Sequence, residues 1–299
     1  DSDEHPSMNF KYGGGRGGFS MGGGGANLNY TDDELDSYET IWDGEVTSTK
    51  KSDHKRVVTA LKNISEGNDL ETYMDIDNLL RYMAVHVFSV NEDSLSGMMA
   101  HNYYLYESGG KLNLIPWDYN LALGGMGGSS DATSVVNDAI DNAFSGTNFF
   151  DTLMEDETYH SQYYTYLQQL VSEYIDGGGF DAFYERVRSQ IDELVKTDPT
   201  AFYSYDEYLT AADTLYQVVK LRGQSIQGQL DGSIPSTEEA QRSSDALVDA
   251  STLDISVMGS MNTGGGGGGF GFNAPTASEN TSDTPDAAQG TSETQTAPD

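Results

Sequence analysis

Between residues 91 and 118 the chain leaves a helical pattern and enters two short strand patterns joined by glycines, the second ending on a carboxylate. Upstream, from Asp75, the apolar residues Ile76, Leu79, Leu80, Met83 and Val87 recur at helical spacing, with Asp75 placed to cap the first turn. This helix delivers Ser89-Val90-Asn91-Glu92-Asp93 into a loop. Asn102-Tyr103-Tyr104-Leu105-Tyr106, the turn Ser108-Gly109-Gly110, and Lys111 to Asp118 then read as a β-hairpin. Tyr104 and Tyr106 share one face and Tyr103 and Leu105 the other, while Leu112, Leu114 and Pro116 alternate with Asn113, Ile115 and Trp117. Strands this apolar need cover on at least one face, most simply from the preceding helix. The fold class that follows is α+β, mainly helical with one central hairpin.

Asp93 lies just beyond the helix, Asn102 opens the first strand and Asp118 closes the second, so the three could converge at one end of the hairpin. Phosphoryl-transfer sites of protein kinases use this order: a catalytic Asp, then an Asn on one metal, then an Asp on the other after a short hairpin. Trp117-Asp118-Tyr119 stands where their Asp-Phe-Gly triplet stands. Asp118 is then a candidate metal ligand, because a hard cation takes carboxylate oxygen; the alternative is an Asp that caps the next turn. Asp93 is the candidate base for an acceptor hydroxyl, or else a solvated loop carboxylate. Asn102 is a candidate second metal ligand, or an Asn that fixes the hairpin entry through backbone hydrogen bonds. It follows Asp93 by nine residues, against about five in the kinase template. Asn91 could position the loop and the nucleotide, and Trp117 could stack on a base or fill core.

Several of these pieces resemble the CotH (spore-coat) kinase family of atypical, secreted or surface-associated kinases. They are Leu80-Arg81-Tyr82-Met83-Ala84, Asn91-Glu92-Asp93, His101-Asn102-Tyr103-Tyr104-Leu105-Tyr106, and Leu114-Ile115-Pro116-Trp117-Asp118-Tyr119-Asn120-Leu121-Ala122-Leu123-Gly124. Weaker similarity runs upstream to Gly25 and downstream to about Leu230. The resemblance implies a kinase-like C-terminal lobe, ATP with Mg²⁺ or Mn²⁺ as cofactors, and Ser or Thr hydroxyls of secreted or surface proteins as acceptors. It also places the phosphate-anchoring lysine and most of the small lobe upstream of Asp1, with Lys11 a remnant near that lobe's end. The parent is then the enzyme, and this chain alone is expected to be inactive. The other class of function consistent with the sequence is a non-catalytic surface or assembly module on the same scaffold.

Composition narrows the partners. Forty-eight acidic against fifteen basic residues give a net charge of −33, which repels nucleic acid and anionic lipid. Such a charge suits solubility, and a saline or extracellular setting. The chain has no cysteine, so disulfide frameworks and thiolate metal sites are excluded. No apolar run approaches the roughly 18 residues of a membrane-spanning helix. The histidines at 5, 54, 86, 101 and 160 lack zinc-ligand spacing. Asp75-Ile76-Asp77-Asn78 lacks the Gly and Glu of a calcium loop, and no G-x-S-x-G elbow is present. With no signal-type apolar region before it, Asp1 looks like the start of a mature or excised piece, and the expected location is the cell surface or exterior.

Three regions are expected. Residues 1–26 are a Gly-rich segment in which Gly13, Gly15 and Gly18 match G-x-G-x-x-G by low complexity. Residues 27–232 form the kinase-like domain, with short helices over 32–67, a Gly-rich activation-type segment at Gly124 to Gly128, and helices between 136 and 230. Residues 233–299, rich in Ser, Thr, Gly and Asp, are expected to be disordered.

Overall fold

The computed structural model describes residues 25–97, 100–125, 131–141 and 147–259, together with the backbone of 261–262 and 271–272. After a 3-10 turn at Leu35–Tyr38 come helices α1 (Glu39–Trp42), α2 (Lys51–Ser65), α3 (Leu70–Tyr73) and α4 (Ile76–Ser89). The hairpin β1 (Tyr103–Ser108) and β2 (Lys111–Pro116) follows, then α5 (Ala132–Val136), α6 (Asp151–Glu155), α7 (Glu157–Gln169), α8 (Gly179–Thr197), α9 (Tyr205–Asp231) and α10 (Glu238–Gln241). Two-residue strands β3 (Met261–Asn262) and β4 (Gly271–Phe272) pair with each other. The architecture is α+β, as the pattern predicts, and fits a kinase-like C-terminal lobe.

α4 is the central helix. Asp75 accepts from the Asn78 backbone N–H at 3.2 Å, the cap expected from the sequence. Leu79, Leu80, Met83 and Val87 are buried with Tyr82, Ala84, His86 and Phe88, leaving Asp77, Arg81 and Val85 as the outward stripe. On that stripe Arg81 pairs with Asp77 at 2.9 Å and lies over the Tyr166 ring of α7.

The hairpin turns on Gly109 and Gly110, both at positive φ, which a primed two-residue turn requires. Leu112 and Leu114 face the core, while Tyr104, Tyr106 and Ile115 face outward. Its outer edge is tied to α4: the Asp75 N–H donates to Leu112 O at 2.9 Å. Asn78 takes Leu114 on both sides, Nδ2 donating to Leu114 O at 3.1 Å and Oδ1 accepting from Leu114 N at 2.8 Å. The Asn78 amide thus does the work of a third strand and sets the hairpin's position on the helix.

α2 is a single 15-residue helix, longer than the short helices expected over 32–67. Between 136 and 230 the helices fall where the periodicity puts them, with a π-helical run at Leu170–Ile175 ending α7. The disorder expected over 233–299 is corrected by the structure for residues 233–259. Residues 233–259 fold back over the domain, burying Ile234, Ala250 and Ile255. Isolated apolar side chains seat in the body there without the periodicity that would mark an element. The expectations for residues 1–24, 126–128 and 273–299 lie outside the described residues.

Candidate functional site

The site begins where α4 ends. A helix leaves its last four carbonyls without partners, and here all four are taken. His86 O accepts from Asn91 N at 3.1 Å, and Val87 O from Val90 N. Arg222 of α9 donates Nη2 to Val87 O at 2.8 Å and Nε to Phe88 O at 3.3 Å. Leu123, beyond Asp118, donates its N–H to Ser89 O at 2.8 Å. Arg222 is fully buried, and its Nη1 also reaches Val136 O at 3.1 Å and Asp138 O at 2.6 Å. A guanidinium at a helix C-terminus also meets the negative end of the helix dipole. Burial lowers the Arg222 pKa, against the attraction of Asp138, and burial raises that of Asp138.

Val90 then turns the chain at φ 47°, a left-handed conformation costly for a β-branched residue. The loop that follows is held from inside. Ser94 Oγ donates to Asn91 O at 2.7 Å and pairs with Ser96 Oγ at 2.9 Å, and Leu95 N donates to the Tyr82 hydroxyl at 3.1 Å. Gly97 closes the turn so tightly that a Cβ there would lie 1.8 Å from Glu92 O. Further left-handed residues, Ala100, Asn102, Asp118 and Leu123, sit on the same stretch. Strain of this kind persists where surrounding contacts over-determine the backbone, and it concentrates at functional sites.

Two of the sequence-predicted residues meet directly. Asn102 Nδ2 donates to Asp93 O at 2.8 Å, so Asn102 does fix the hairpin entry. With its NH₂ group committed, the oxygen Oδ1 is the atom it can offer a cation. Asn102 O in turn accepts from Trp117 N at 3.1 Å, which brings Asp118 to the same end of the hairpin. Asp118 is exposed at φ 57°, two residues past the strand rather than on it. Trp117 is 46% exposed and stacked on Tyr104, ring centroids 6.0 Å apart, so it does not fill core.

Among the described residues, buried side-chain polar atoms without a hydrogen-bond partner fall in one stretch: His86 Nε2, Asn91 Nδ2 and Oδ1, and Asp93 Oδ1. Native proteins rarely leave such atoms unmatched. Asp93 Oδ1 has His101 Nδ1 at 3.6 Å, beyond hydrogen-bond reach. Asn91 is 3% exposed, with neither end of its amide engaged. His86 Nδ1 donates to Tyr82 O at 2.8 Å, and the ring stacks on Tyr82 with Tyr119 nearby. Burial depresses the His86 pKa to about 4, so its ring is neutral at pH 7, and burial lifts the Tyr119 hydroxyl to about 12.

Asp118 and Asn102 Oδ1 are oxygen donors of the type a hard divalent cation takes, and Mg²⁺ is usually bound by one or two carboxylates completed by water and phosphate oxygens. Among the described residues no group of three or more His, Cys, Asp or Glu forms an all-protein cage. Sequence reasoning missed Arg222, Tyr82 and the Ser94–Ser96 pair. Arg222 left one signal: it lies on the buried stripe of α9, four residues after Val218 and four before Ile226.

No curated protein matches the chain. Residues 19–226 match the model of the CotH kinase protein family, a span running from the Gly-rich segment through the loop, the hairpin and most of α9. That span is well over half of the 299 residues, and the chain belongs to the CotH kinase protein family.

Proposed function

We propose that this chain is the C-terminal-lobe part of an ATP- and Mg²⁺- or Mn²⁺-dependent phosphotransferase that modifies Ser or Thr hydroxyls of secreted or surface proteins. The observation that carries the proposal is the Asn102 Nδ2 to Asp93 O hydrogen bond at 2.8 Å. It locks the candidate base and a candidate metal ligand into one unit, with Asp118 one residue beyond the Trp117–Asn102 bond. Asp93 accepts the proton of the acceptor hydroxyl as that oxygen bonds to the γ-phosphorus and ADP leaves. Asp118 and Asn102 Oδ1 hold the cation, which when bound neutralises charge on the phosphates. Trp117 offers an exposed indole for the base, and Asn91 a free amide for the nucleotide or the loop.

The test uses the full-length protein. Thermal melting with ATP and Mg²⁺ should raise Tm only when both are present, and Asp118→Asn should abolish the rise. Absence of any shift, with or without metal, would favour a non-catalytic surface module on this scaffold.

A further inference from the structure

Residues 233–259 lie beyond the family match, which ends at 226, yet they return to the segment that follows Asp118. Val248 and Asn137 exchange two hydrogen bonds, Asn137 Nδ2 donating to Val248 O at 2.8 Å and Val248 N to Asn137 Oδ1 at 2.9 Å. Ala250 N donates to Thr133 Oγ1 at 3.2 Å, and Asp254 bridges Asp131 through the backbone. The 3-10 turn at Ile255–Met258 packs on α9, with Ile255 buried.

Gly124 is where these elements meet. It stands at φ 92°, and a Cβ there would lie 3.0 Å from Val135 Cγ2 of α5 and 3.1 Å from Ile255 Cδ1. Its neighbour Leu123 is the residue bonded to Ser89 O at the end of α4. Contacts therefore run from Ile255 through Gly124 and Leu123 to the helix end that launches the Asp93 loop. Arg222 ties that same helix end to α5 through Val87 O and Val136 O.

We propose that residues 233–259 are an intramolecular clamp that holds the Leu121–Gly124 segment and α5 in register with the Asp93–Asn102–Asp118 site. Site competence then depends on a segment outside the family domain. The structural half of the proposal stands on contacts alone; its effect on nucleotide binding rests on the phosphotransferase function proposed above.

The test is amide hydrogen exchange on the full-length protein, wild type against Ile255→Asp and the milder Ile255→Ala, with Mg²⁺-ATP binding measured on the same samples. Loss of the buried contact should speed exchange across 247–258, and with it across 121–124 and 131–137, by roughly tenfold or more. The β1–β2 amides should stay at their wild-type rates, and Mg²⁺-ATP affinity should fall in step. Faster exchange in 247–258 with no change in 121–124 would overturn the clamp. If wild-type protein binds no Mg²⁺-ATP, the phosphotransferase proposal fails, while the exchange pattern still decides the clamp.

Discussion

Arg222 Nη2 donates to Val87 O at 2.8 Å across the core, joining α9 to the last turn of α4. The guanidinium also serves Phe88, Val136 and Asp138 carbonyls, so one side chain ties the helix end from which the candidate site departs to the segment at the end of α5. Arg222→Leu would keep bulk in the core but strand the buried Phe88 and Val136 carbonyls, while Val87 O keeps Val90 N and Asp138 O keeps Gln229 Nε2. Each costs about 1–3 kcal/mol when left unsatisfied, so a loss of about 3–5 kcal/mol is expected in a urea melt. Arg222→Lys should recover little of it, because an ammonium cannot match the fork geometry. A change below about 1 kcal/mol for Arg222→Leu would contradict this account.

Asn91 separates stability from function. Its amide is buried and pairs with no protein group, so an apolar residue of similar shape should fit at little cost. Asn91→Leu is expected to leave stability within about 1 kcal/mol of wild type, or to raise it. Mg²⁺-ATP affinity should fall roughly tenfold, the worth of one net hydrogen bond. Equal affinity in the two proteins would remove Asn91 from the site.

Gly97 tests the loop's shape. The space a Cβ would need is filled by the Glu92 carbonyl, which is backbone and cannot swing aside. Gly97→Ala should displace residues 92–97 and cost at least about 1–3 kcal/mol, the range for overpacking. Exchange protection at Leu95 N, held by the Tyr82 hydroxyl, reports the displacement directly. Unchanged protection at that amide would count against the tight turn.

His86 makes stability depend on pH. Its pKa is lowered from 6.5 in the unfolded chain to about 4 in the fold. Between those values the unfolded state binds more protons, so stability rises with pH. The contribution is complete above about pH 6.5, fades as pH falls, and is exhausted near pH 4. The shift corresponds to roughly 3 kcal/mol. His86→Phe should lose this part of the acid sensitivity while the carboxylates keep theirs, so the difference between the two stability curves isolates the histidine. Parallel curves between pH 4 and 6.5 would contradict a buried neutral ring.

Much of this could be read from the sequence because its signals are local. Asp75 and the Ile76-to-Val87 spacing define α4, and Gly109-Gly110 defines the hairpin. What could not be read depends on distant partners. Asn78 looks like an ordinary first-turn residue until Leu114 is beside it, 36 positions away. Arg222 lies on the buried stripe of α9, but its partners, carbonyls of α4 and of the residues ending and following α5, are more than 80 positions away. The stretch after 233 looks unfoldable by composition, yet single residues such as Ile255 and Val248 find ready-made seats on α5 and α9. Asp93, Asn102 and Asp118 were legible as types in an order; the Asn102–Asp93 hydrogen bond and the run of left-handed residues were not.

Phosphate transfer from labelled ATP by the full-length protein tests the central claim most directly, with Mg²⁺ present or chelated, in wild type, Asp118→Asn and Asp93→Ala. The account predicts metal-dependent labelling of Ser or Thr that falls by at least about 100-fold in both variants, the scale of a lost general base. Labelling that survives either substitution, or none at all in the wild type with metal and ATP supplied, would contradict it.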